Sequence, residues 1–251
     1  MIGETAFDRT VLKVAGKDAL TFLQGMVSND VLPLASSNGI VWTALLTPQG
    51  KYLADFFVVK TNDALLIDIK SSIADATLRR LMMYRLRAEV NITPTDLCVT
   101  RGLGDAASDA FADPRHAALG WRAYGPEGTA PGIDWDAIRV THTIPETGIE
   151  LIADDSYLLE SGFERLHGVD FRKGCYVGQE VTARMKHKTD LRKGLVRVRI
   201  AGAAPIGTEI FANGKASGTL FTQSGGHAIA YLRFDRAEGA LIAGNAQITT
   251  E

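Results

Sequence analysis

The sequence predicts an α+β protein that ends in a small all-β barrel. Strand-like and helix-like segments alternate through the first half, whereas short strands follow one another from about residue 190 to the end. The chain has 251 residues, of which 46% are hydrophobic, so it is long enough for one large domain or for two to three small ones. We therefore expect a globular α+β region followed by a barrel.

The elements of the α+β region follow from apolar periodicity and from turn residues. Alternating, β-branched runs indicate strands, and a repeat of three to four residues indicates helices. The turn at Thr47-Pro48-Gln49-Gly50 separates two strands of an antiparallel meander. In order, we predict a strand at 10–14, a helix at 17–24 ended by Gly25, a helical turn from Ser28, strands at 40–46, 51–60 and 65–70, a helix at 71–87, strands at 89–93, 97–100 and 119–124, and a helix at 133–142.

The predicted barrel begins with the strongly alternating segment 191–200. Glycine-containing turns then separate short strands, which favours four to six strands closed into a small barrel. These turns lie at Gly207, Asn213-Gly214, Gly218 and Gly225-Gly226. The composition changes at Thr189-Asp190, which is the clearest domain boundary in the sequence.

Composition excludes several classes of protein. No apolar run is long enough to cross a bilayer, and the first residues lack the basic and apolar regions of a secretory signal. Two cysteines, Cys98 and Cys175, do not form a disulfide framework, so we expect a reducing compartment.

The segment 171–184 is the densest in reactive and conformationally special residues. Gly174 and Gly178 permit backbone conformations that a Cβ would forbid, or close approach to a ligand. A helix is predicted from about Gly178 to Arg184 or Lys186, which places Cys175 just before a helix N-terminus.

Two interpretations of Cys175 follow from this position. A helix N-terminus and the neighbouring Arg172 and Lys173 stabilise a thiolate, which favours a functional thiol. The alternative is an inert, buried cysteine, and this is the interpretation that we favour for Cys98 in its apolar strand.

The chain cannot by itself hold an iron–sulfur cluster or a zinc ion by ordinary ligation. Such sites need about four thiolate or imidazole ligands. The two cysteines are far apart, and the five histidines show no H-x-x-x-H spacing. Cys175 could therefore lend at most one ligand to a cluster shared with a partner, and no metal site is predicted.

Basic residues are concentrated between Arg165 and Arg199. This segment contains ten lysines and arginines but three acidic residues. The excess of positive charge indicates an anionic partner or else a solvated basic face. The candidate partners are a polyanionic cofactor tail, an acidic protein and, least favoured because no binding motif is present, nucleic acid. Arg85 and Arg87, at the end of the predicted helix 71–87, are further candidate ligand contacts, while its other arginines suit a solvated face.

The motif Lys173-Gly174-Cys175-Tyr176-Val177-Gly178-Gln179-Glu180 resembles the K-G-C-Y-x-G-Q-E signature of the YgfZ/GcvT-like folate-binding family. Val181-Thr182-Ala183-Arg184 makes it more similar to the mitochondrial-type iron–sulfur assembly factors of that family and their bacterial relatives. Supporting matches lie at 18–19, 22–25, 47–51, 159–160, 168–171 and 228–233.

The resemblance implies a fold like that of the glycine-cleavage T protein. In such a fold two interleaved α/β segments and a C-terminal β-barrel surround a central, folate-sized channel. We accordingly expect residues 1–189 to form the folate-binding α+β region, with a middle subdomain at about 45–140, and residues 190–251 to form the barrel.

The resemblance also implies a function. The expected cofactor is tetrahydrofolate, including its polyglutamylated forms, and the expected role is the assembly or repair of [4Fe-4S] clusters. Cys175 would be a redox or shared-ligand thiol, and Glu160 would contact the pterin ring. Lys173, Arg184 and Lys186 would hold the folate tail or the partner. The full set of expected cofactor-binding residues is Glu160, Lys173, Tyr176, Gln179, Glu180, Arg184 and Arg85.

The expected partners are an A-type iron–sulfur carrier or client [4Fe-4S] proteins, with no membrane. A non-enzymatic assembly factor is the first hypothesis, a folate-dependent aminomethyl or one-carbon transferase the second, and an RNA-binding module the third. The expected location is the bacterial cytoplasm, or the mitochondrial matrix in a eukaryote.

Overall fold

The computed structural model describes residues 3–188 and 190–251 and confirms the predicted α+β class with a C-terminal barrel. The predicted border between the α+β region and the barrel falls at Thr189, which lies outside the described residues. The predicted middle subdomain at about 45–140 stays a prediction.

The chain divides into two compact units that interleave along the sequence. Unit 1 comprises the residues up to Ile133 together with Glu164–Gln179. Unit 2 comprises Asp134–Phe163 together with Glu180–Glu251. The chain therefore leaves unit 1, returns to it for the segment that carries Cys175, and then completes unit 2.

Unit 1 contains two antiparallel sheets and two α-helices. In chain order its elements are β1 (Glu4–Thr5), β2 (Arg9–Ala15), α1 (Ala19–Met26), β3 (Gly39–Leu46), β4 (Tyr52–Lys60), β5 (Leu65–Lys70), α2 (Ser71–Tyr84), β6 (Asn91–Pro94), β7 (Cys98–Gly102), β8 (Phe111–Ala112) and β9 (Trp121–Gly125). One sheet has the order β3-β4-β5-β2-β6 and the other the order β1-β7-β9-β8. The predicted meander forms the centre of the five-stranded sheet, and α1 and α2 supply side chains to its apolar core.

A buried charge network connects the two sheets of unit 1. Asp68 on β5 is fully buried and accepts hydrogen bonds from Arg9 on β2 and from Arg122 and Tyr124 on β9. The guanidinium of Arg122 also lies over the Phe57 ring, with its carbon 4.3 Å from the ring centroid. Because a buried carboxylate needs paired charges, this network fixes how β5 meets β9.

Unit 2 consists mainly of a closed six-stranded barrel. Its elements are α3 (Trp135–His142), α4 (Gln179–Lys188, whose first residue is counted in unit 1), β10 (Lys193–Ala201), β11 (Glu209–Ala212), β12 (Lys215–Ser224), β13 (His227–Arg233), β14 (Leu241–Ala243) and β15 (Ala246–Thr250). The strand order is β10-β13-β12-β11-β14-β15, and β15 pairs with β10 to close the barrel. Arg139 on α3 donates to the fully buried Glu150 at 2.8 Å and to Thr222 of β12, which joins α3 to the barrel.

Some predicted boundaries are wrong, for identifiable reasons. Gly25 lies inside α1 rather than after it, because buried Met26 extends the apolar face by another residue. The helical turn predicted from Ser28 is instead a 3-10 helix at Leu32–Ala35. Helix α2 ends at Tyr84, since Leu86 adopts a left-handed φ of 45° that terminates helical geometry. Gly120, with a φ of 63°, delays the predicted strand at 119–124, so that β9 begins at Trp121.

Among the described residues, no helix combines the length and the apolar character that a bilayer-spanning helix requires.

Candidate functional site

Cys175 lies exposed on the loop that precedes helix α4. The helix begins at Gln179, which confirms the start predicted near Gly178. The thiol is thus four positions before the first helical residue and is accessible to a partner. Cys98, by contrast, is half-buried at the start of β7, opposite Gly125.

Lys173 anchors the Cys175 loop to the end of helix α1. Its buried ammonium group donates to the backbone carbonyls of Gln24, Val27 and Asn29 over 2.5–3.1 Å. An ammonium has three N–H donors, so all of them are used. The same nitrogen lies 4.8 Å from the centroid of the Tyr176 ring, a cation–π contact.

Burial lowers the pKa of Lys173 to about 8, and the negative charges of Asp30 and Asp170 oppose that shift. At neutral pH the group is therefore still protonated and can serve three acceptors. These contacts give Lys173 a loop-positioning role within unit 1; its predicted contact with a folate tail stays a prediction.

Ser28 and Asn29 hold the same loop from a second side, and sequence reasoning missed this role. The Ser28 hydroxyl donates to the carbonyl of Gly168 at 2.7 Å, and the Asn29 amide donates to the carbonyl of His167 at 2.6 Å. The sequence contained a signal, since polar residues so close to a helix end are suited to bonding backbone groups. The sequence instead predicts a helical turn that starts at Ser28.

The two glycines of the motif differ in function. Gly178 has a φ of 83°, and a Cβ there would lie 2.5 Å from the carbonyl oxygen of Thr47. The left-handed φ confirms the predicted backbone conformation, and the absence of a Cβ also lets the loop approach the Thr47–Gly50 turn closely. Gly174 has neither a left-handed φ nor a protein atom within 4 Å of an ideal Cβ, so the conformational requirement predicted for it is absent.

Glu160 is positioned in unit 2 by two barrel strands. Its carbonyl accepts the backbone N–H of Leu195 on β10 at 2.8 Å. Gly194 makes this approach possible, because a Cβ there would lie 2.9 Å from the same carbonyl oxygen. On β13, the Tyr231 hydroxyl donates to Oε2 of Glu160 at 2.5 Å, and the ammonium of Lys193 lies 3.6 Å from that oxygen.

The hydrogen bond from Tyr231 orients the carboxylate of Glu160. Burial, together with this hydrogen bond and the negative charge of Glu160, raises the pKa of Tyr231, which remains a donor at physiological pH. Oε1 of Glu160 accepts no hydrogen bond from a described residue. One carboxylate oxygen of Glu160 is thus held by Tyr231, and the other is available as a hydrogen-bond acceptor. The sequence did not single out Tyr231 for this role.

A cavity of about 260 Å³ in unit 2 contains Glu160. It is lined by Glu160, Met185, Asp190, Leu191, Arg192, Lys193 and Arg233. Its volume is slightly below the roughly 300–1,000 Å³ that is usual for small-molecule sites, so it suits a ring system rather than a large ligand. Its lining contains three basic residues and two acidic ones, and Lys193 and Arg233 each lie beside a carboxylate, which leaves Arg192 as the basic group best placed for an anionic ligand.

The other predicted site residues lie on α4 or beside α2. Glu180 and Arg184 form an exposed ion pair one helical turn apart, at 2.8 Å, and Gln179 is the first residue of the same helix. Lys186 lies further along that helix. Arg85 follows α2, and its guanidinium donates to the carbonyl of Val90 at 3.2 Å. Both residues lie in the connection between α2 and β6. Their predicted contacts with a cofactor stay predictions.

Cys175 belongs to no group of three or more metal-ligating side chains in the part of the chain that the structure describes. No three histidine, cysteine, aspartate or glutamate side chains converge there as a metal site would require. Cys175 is therefore available as one exposed ligand and not as a member of a local set.

The two units together have the fold of the glycine-cleavage T protein. The crystal structure of glycine cleavage system aminomethyltransferase T from Bartonella henselae matches 96% of this chain and 82% of its own, with a TM-score of 0.70 and 14% sequence identity. At that identity the match shows the fold alone. Residues 192–251 also match the family model described as the CAF17 C-terminal beta-barrel domain. The class is therefore that of T-protein-like proteins with a C-terminal barrel.

Sequence relatives narrow the class further. The mitochondrial iron–sulfur cluster assembly factor IBA57 of Homo sapiens is 30% identical over 276 residues, which cover 93% of this chain and 78% of that protein. The IBA57 homologue of Mycosarcoma maydis is 32% identical over 231 residues, covering 78% of this chain and 57% of that protein. The chain belongs to the IBA57 family.

Proposed function

We propose that the protein assists the assembly or repair of [4Fe-4S] clusters in client proteins, with the Cys175 thiol as a redox group or as one ligand of a shared cluster. The observation that carries this proposal is an exposed cysteine on a loop that Lys173, Ser28 and Asn29 hold in place. A thiol that is both accessible and positioned suits transient contact with a cluster on another protein. The names of the relatives, which are iron–sulfur cluster assembly factors, support the same function.

The proposed partners are an A-type iron–sulfur carrier or client [4Fe-4S] proteins. A cluster needs about four ligands, and Cys175 offers one, so a second protein must supply the others. The relatives are named as mitochondrial proteins. For this chain, the bacterial cytoplasm or the mitochondrial matrix stays a prediction.

The function is tested in cells that lack the protein. We expect the activities of two unrelated [4Fe-4S] enzymes to fall and to return when the wild-type gene is supplied, while a metal-free enzyme is unaffected. Undiminished activities of both [4Fe-4S] enzymes in the deletion strain would contradict the proposed function.

We further propose that unit 2 binds tetrahydrofolate at Glu160. The amino-pyrimidine edge of a pterin ring presents neighbouring N–H donors, and the carboxylate of Glu160 has one oxygen without a donor among the described residues. The cavity has the size for a ring system, and Arg192 in its lining offers a positive charge to an anionic tail. The residues present therefore fit the cofactor. When bound, tetrahydrofolate supplies a reduced pterin and carboxylates.

Titration of tetrahydrofolate into the purified protein tests this site. We expect Glu160→Ala to raise the dissociation constant about 10- to 100-fold, because a hydrogen bond to a charged group contributes about 1.5–3 kcal/mol. Two control variants should leave the dissociation constant unchanged. These are Cys175→Ala, at a residue of unit 1, and Glu209→Ala, at an exposed residue of β11. Equal affinity of the Glu160→Ala and wild-type proteins would remove the proposed folate contact.

A further inference from the structure

The end of helix α2 carries an exposed surface of apolar and basic side chains that the fold does not use. We call it the α2 patch, and its members are Arg79, Arg80, Met83, Tyr84, Leu86 and Arg87. Met83 is 76% exposed and Leu86 is 86% exposed. The opposite face of the helix packs on the core through Ala74, Thr77 and Leu81. The apolar groups of the patch therefore contribute little to the core of unit 1.

Leu86 is unusual for its backbone as well as its exposure. Its φ of 45° is left-handed, a conformation that costs a non-glycine residue free energy and that glycine adopts without penalty. The position after a helix end is one where glycine is commonly found. A large apolar side chain on a strained backbone and in solvent has no packing explanation, so a role in binding accounts for it better.

The arginines of the patch are also without a local use. Arg79, Arg80 and Arg87 are exposed and form no ion pair with a described residue. These arginines are also not explained by the helix dipole. Its effect is confined mainly to the last turn, and the last turn of α2 contains no basic residue. Asp75, one turn before Arg79, is the single acidic residue in the helix sequence. The patch therefore presents positive charge beside apolar groups.

This composition indicates a protein partner. Arginine, methionine and tyrosine are enriched in protein–protein interfaces, whereas lysine, glutamate, aspartate and serine are depleted there. A single aromatic side chain, Tyr84, is too few for stacking along a nucleic acid. Two exposed aliphatic side chains, Met83 and Leu86, bury too little area to anchor a short helix end in a lipid surface.

We infer that the α2 patch docks an acidic protein surface with an apolar pocket, in which Met83 and Leu86 are buried and the arginines pair with carboxylates. This inference rests on the proposed function, which requires a cluster-carrying partner, and it assigns the proposed A-type iron–sulfur carrier to the patch. The contacts between arginines and carboxylates contribute the salt-dependent part of the binding free energy. The apolar contact contributes the part that does not depend on salt.

The test is a titration of the purified A-type carrier of the same organism with the full-length protein. We expect Arg79→Glu/Arg80→Glu and Met83→Asp each to raise the dissociation constant by about tenfold or more, because charged and apolar contacts are lost at the centre of the interface. Leu86→Gly should also weaken binding, and it should fold well because its φ suits glycine. Binding by the wild type should weaken as salt increases from about 50 to about 300 mM.

Matched controls lie on the barrel of unit 2. Lys215→Glu removes an exposed positive charge and Ile206→Asp an exposed aliphatic side chain, and both should bind like the wild type. Equal affinity for all variants, or no binding by the wild type, would overturn the inference. A second result would also overturn it. In that result the wild type binds phosphatidylglycerol vesicles or poly(U) RNA but not the carrier, and the patch variants abolish that binding. The proposed function fails separately, by intact [4Fe-4S] enzyme activities in the deletion strain.

Discussion

Replacing Asp68 by asparagine should lower the free energy of unfolding by about 3–5 kcal/mol, the usual cost of removing one partner from a buried ion pair. The carboxylate is fully buried and accepts from Arg9 at 2.6 Å, from Arg122 at 2.6 Å and from Tyr124 at 3.0 Å. Without it, the buried guanidinium of Arg122 keeps only Asp113, at 3.7 Å, as an acidic neighbour in the described structure. Chemical denaturation at neutral pH measures the loss.

The same carboxylate predicts a dependence of stability on pH. Burial raises the pKa of Asp68, but Arg122 and Arg9 outweigh that effect and lower it from 3.8 to about 2. A carboxyl whose folded pKa is depressed stabilises the fold above its unfolded pKa and loses that contribution as the pH falls. The wild type should thus lose about 2 kcal/mol between about pH 4 and pH 2 that Asp68→Asn does not lose.

The control for this prediction is Asp63→Asn, an exposed aspartate in the turn between β4 and β5. It should unfold like the wild type. If Asp68→Asn destabilised the protein no more than Asp63→Asn, the buried network would not be a main source of stability in unit 1.

Replacing Lys173 by methionine should lower the free energy of unfolding by about 3 kcal/mol. It should also make the loop that carries Cys175 more mobile. The change removes three hydrogen bonds from a charged donor and leaves the carbonyls of Gln24, Val27 and Asn29 without it. Methionine keeps the length and apolar stem of the side chain, so packing is disturbed little. Denaturation measures the stability, and hydrogen exchange of the amides at 173–178 should quicken more than that of β4.

The neighbouring Arg172→Met is the matched control, because the Arg172 side chain is 94% exposed and lies in the same loop. It should change neither the free energy of unfolding nor the exchange of the loop. Comparable effects of the two substitutions would show that the three carbonyl contacts of Lys173 do not hold the loop.

Local features were predictable from the sequence because neighbouring residues determine them. Glycine-containing turns between alternating segments predicted the barrel, and the structure closes it with six strands. The turn predicted at Gly218 is wrong, because this glycine lies inside β12, where a Cβ would clash with the carbonyl oxygen of Tyr231 on β13. The helix after Gly178 and the special backbone conformation of that glycine were likewise predicted from residue type and spacing. Its close approach to the Thr47–Gly50 turn was not predicted. The motif at 173–180 also carries the family resemblance, because its residues are contiguous in the sequence.

Contacts between distant segments were not predictable, because a single sequence carries no record of them. Lys173 reaches carbonyls about 145 residues earlier in the chain, and Tyr231 meets Glu160 across 71 positions. The partners of Asp68 come from two strands, β2 and β9, that are far from it in the sequence. Residue type predicted a functional role for Lys173, but only the structure shows that its ammonium is fully occupied by backbone oxygens.

The most direct test of the proposed function is complementation with a Cys175→Ser variant in cells that lack the protein. If the exposed thiol serves the cluster, this variant should accumulate normally, bind tetrahydrofolate like the wild type, and fail to restore the activities of [4Fe-4S] enzymes. A Cys98→Ser variant, altered at the other cysteine, should restore them. Full restoration by Cys175→Ser would contradict the proposed role of the Cys175 loop.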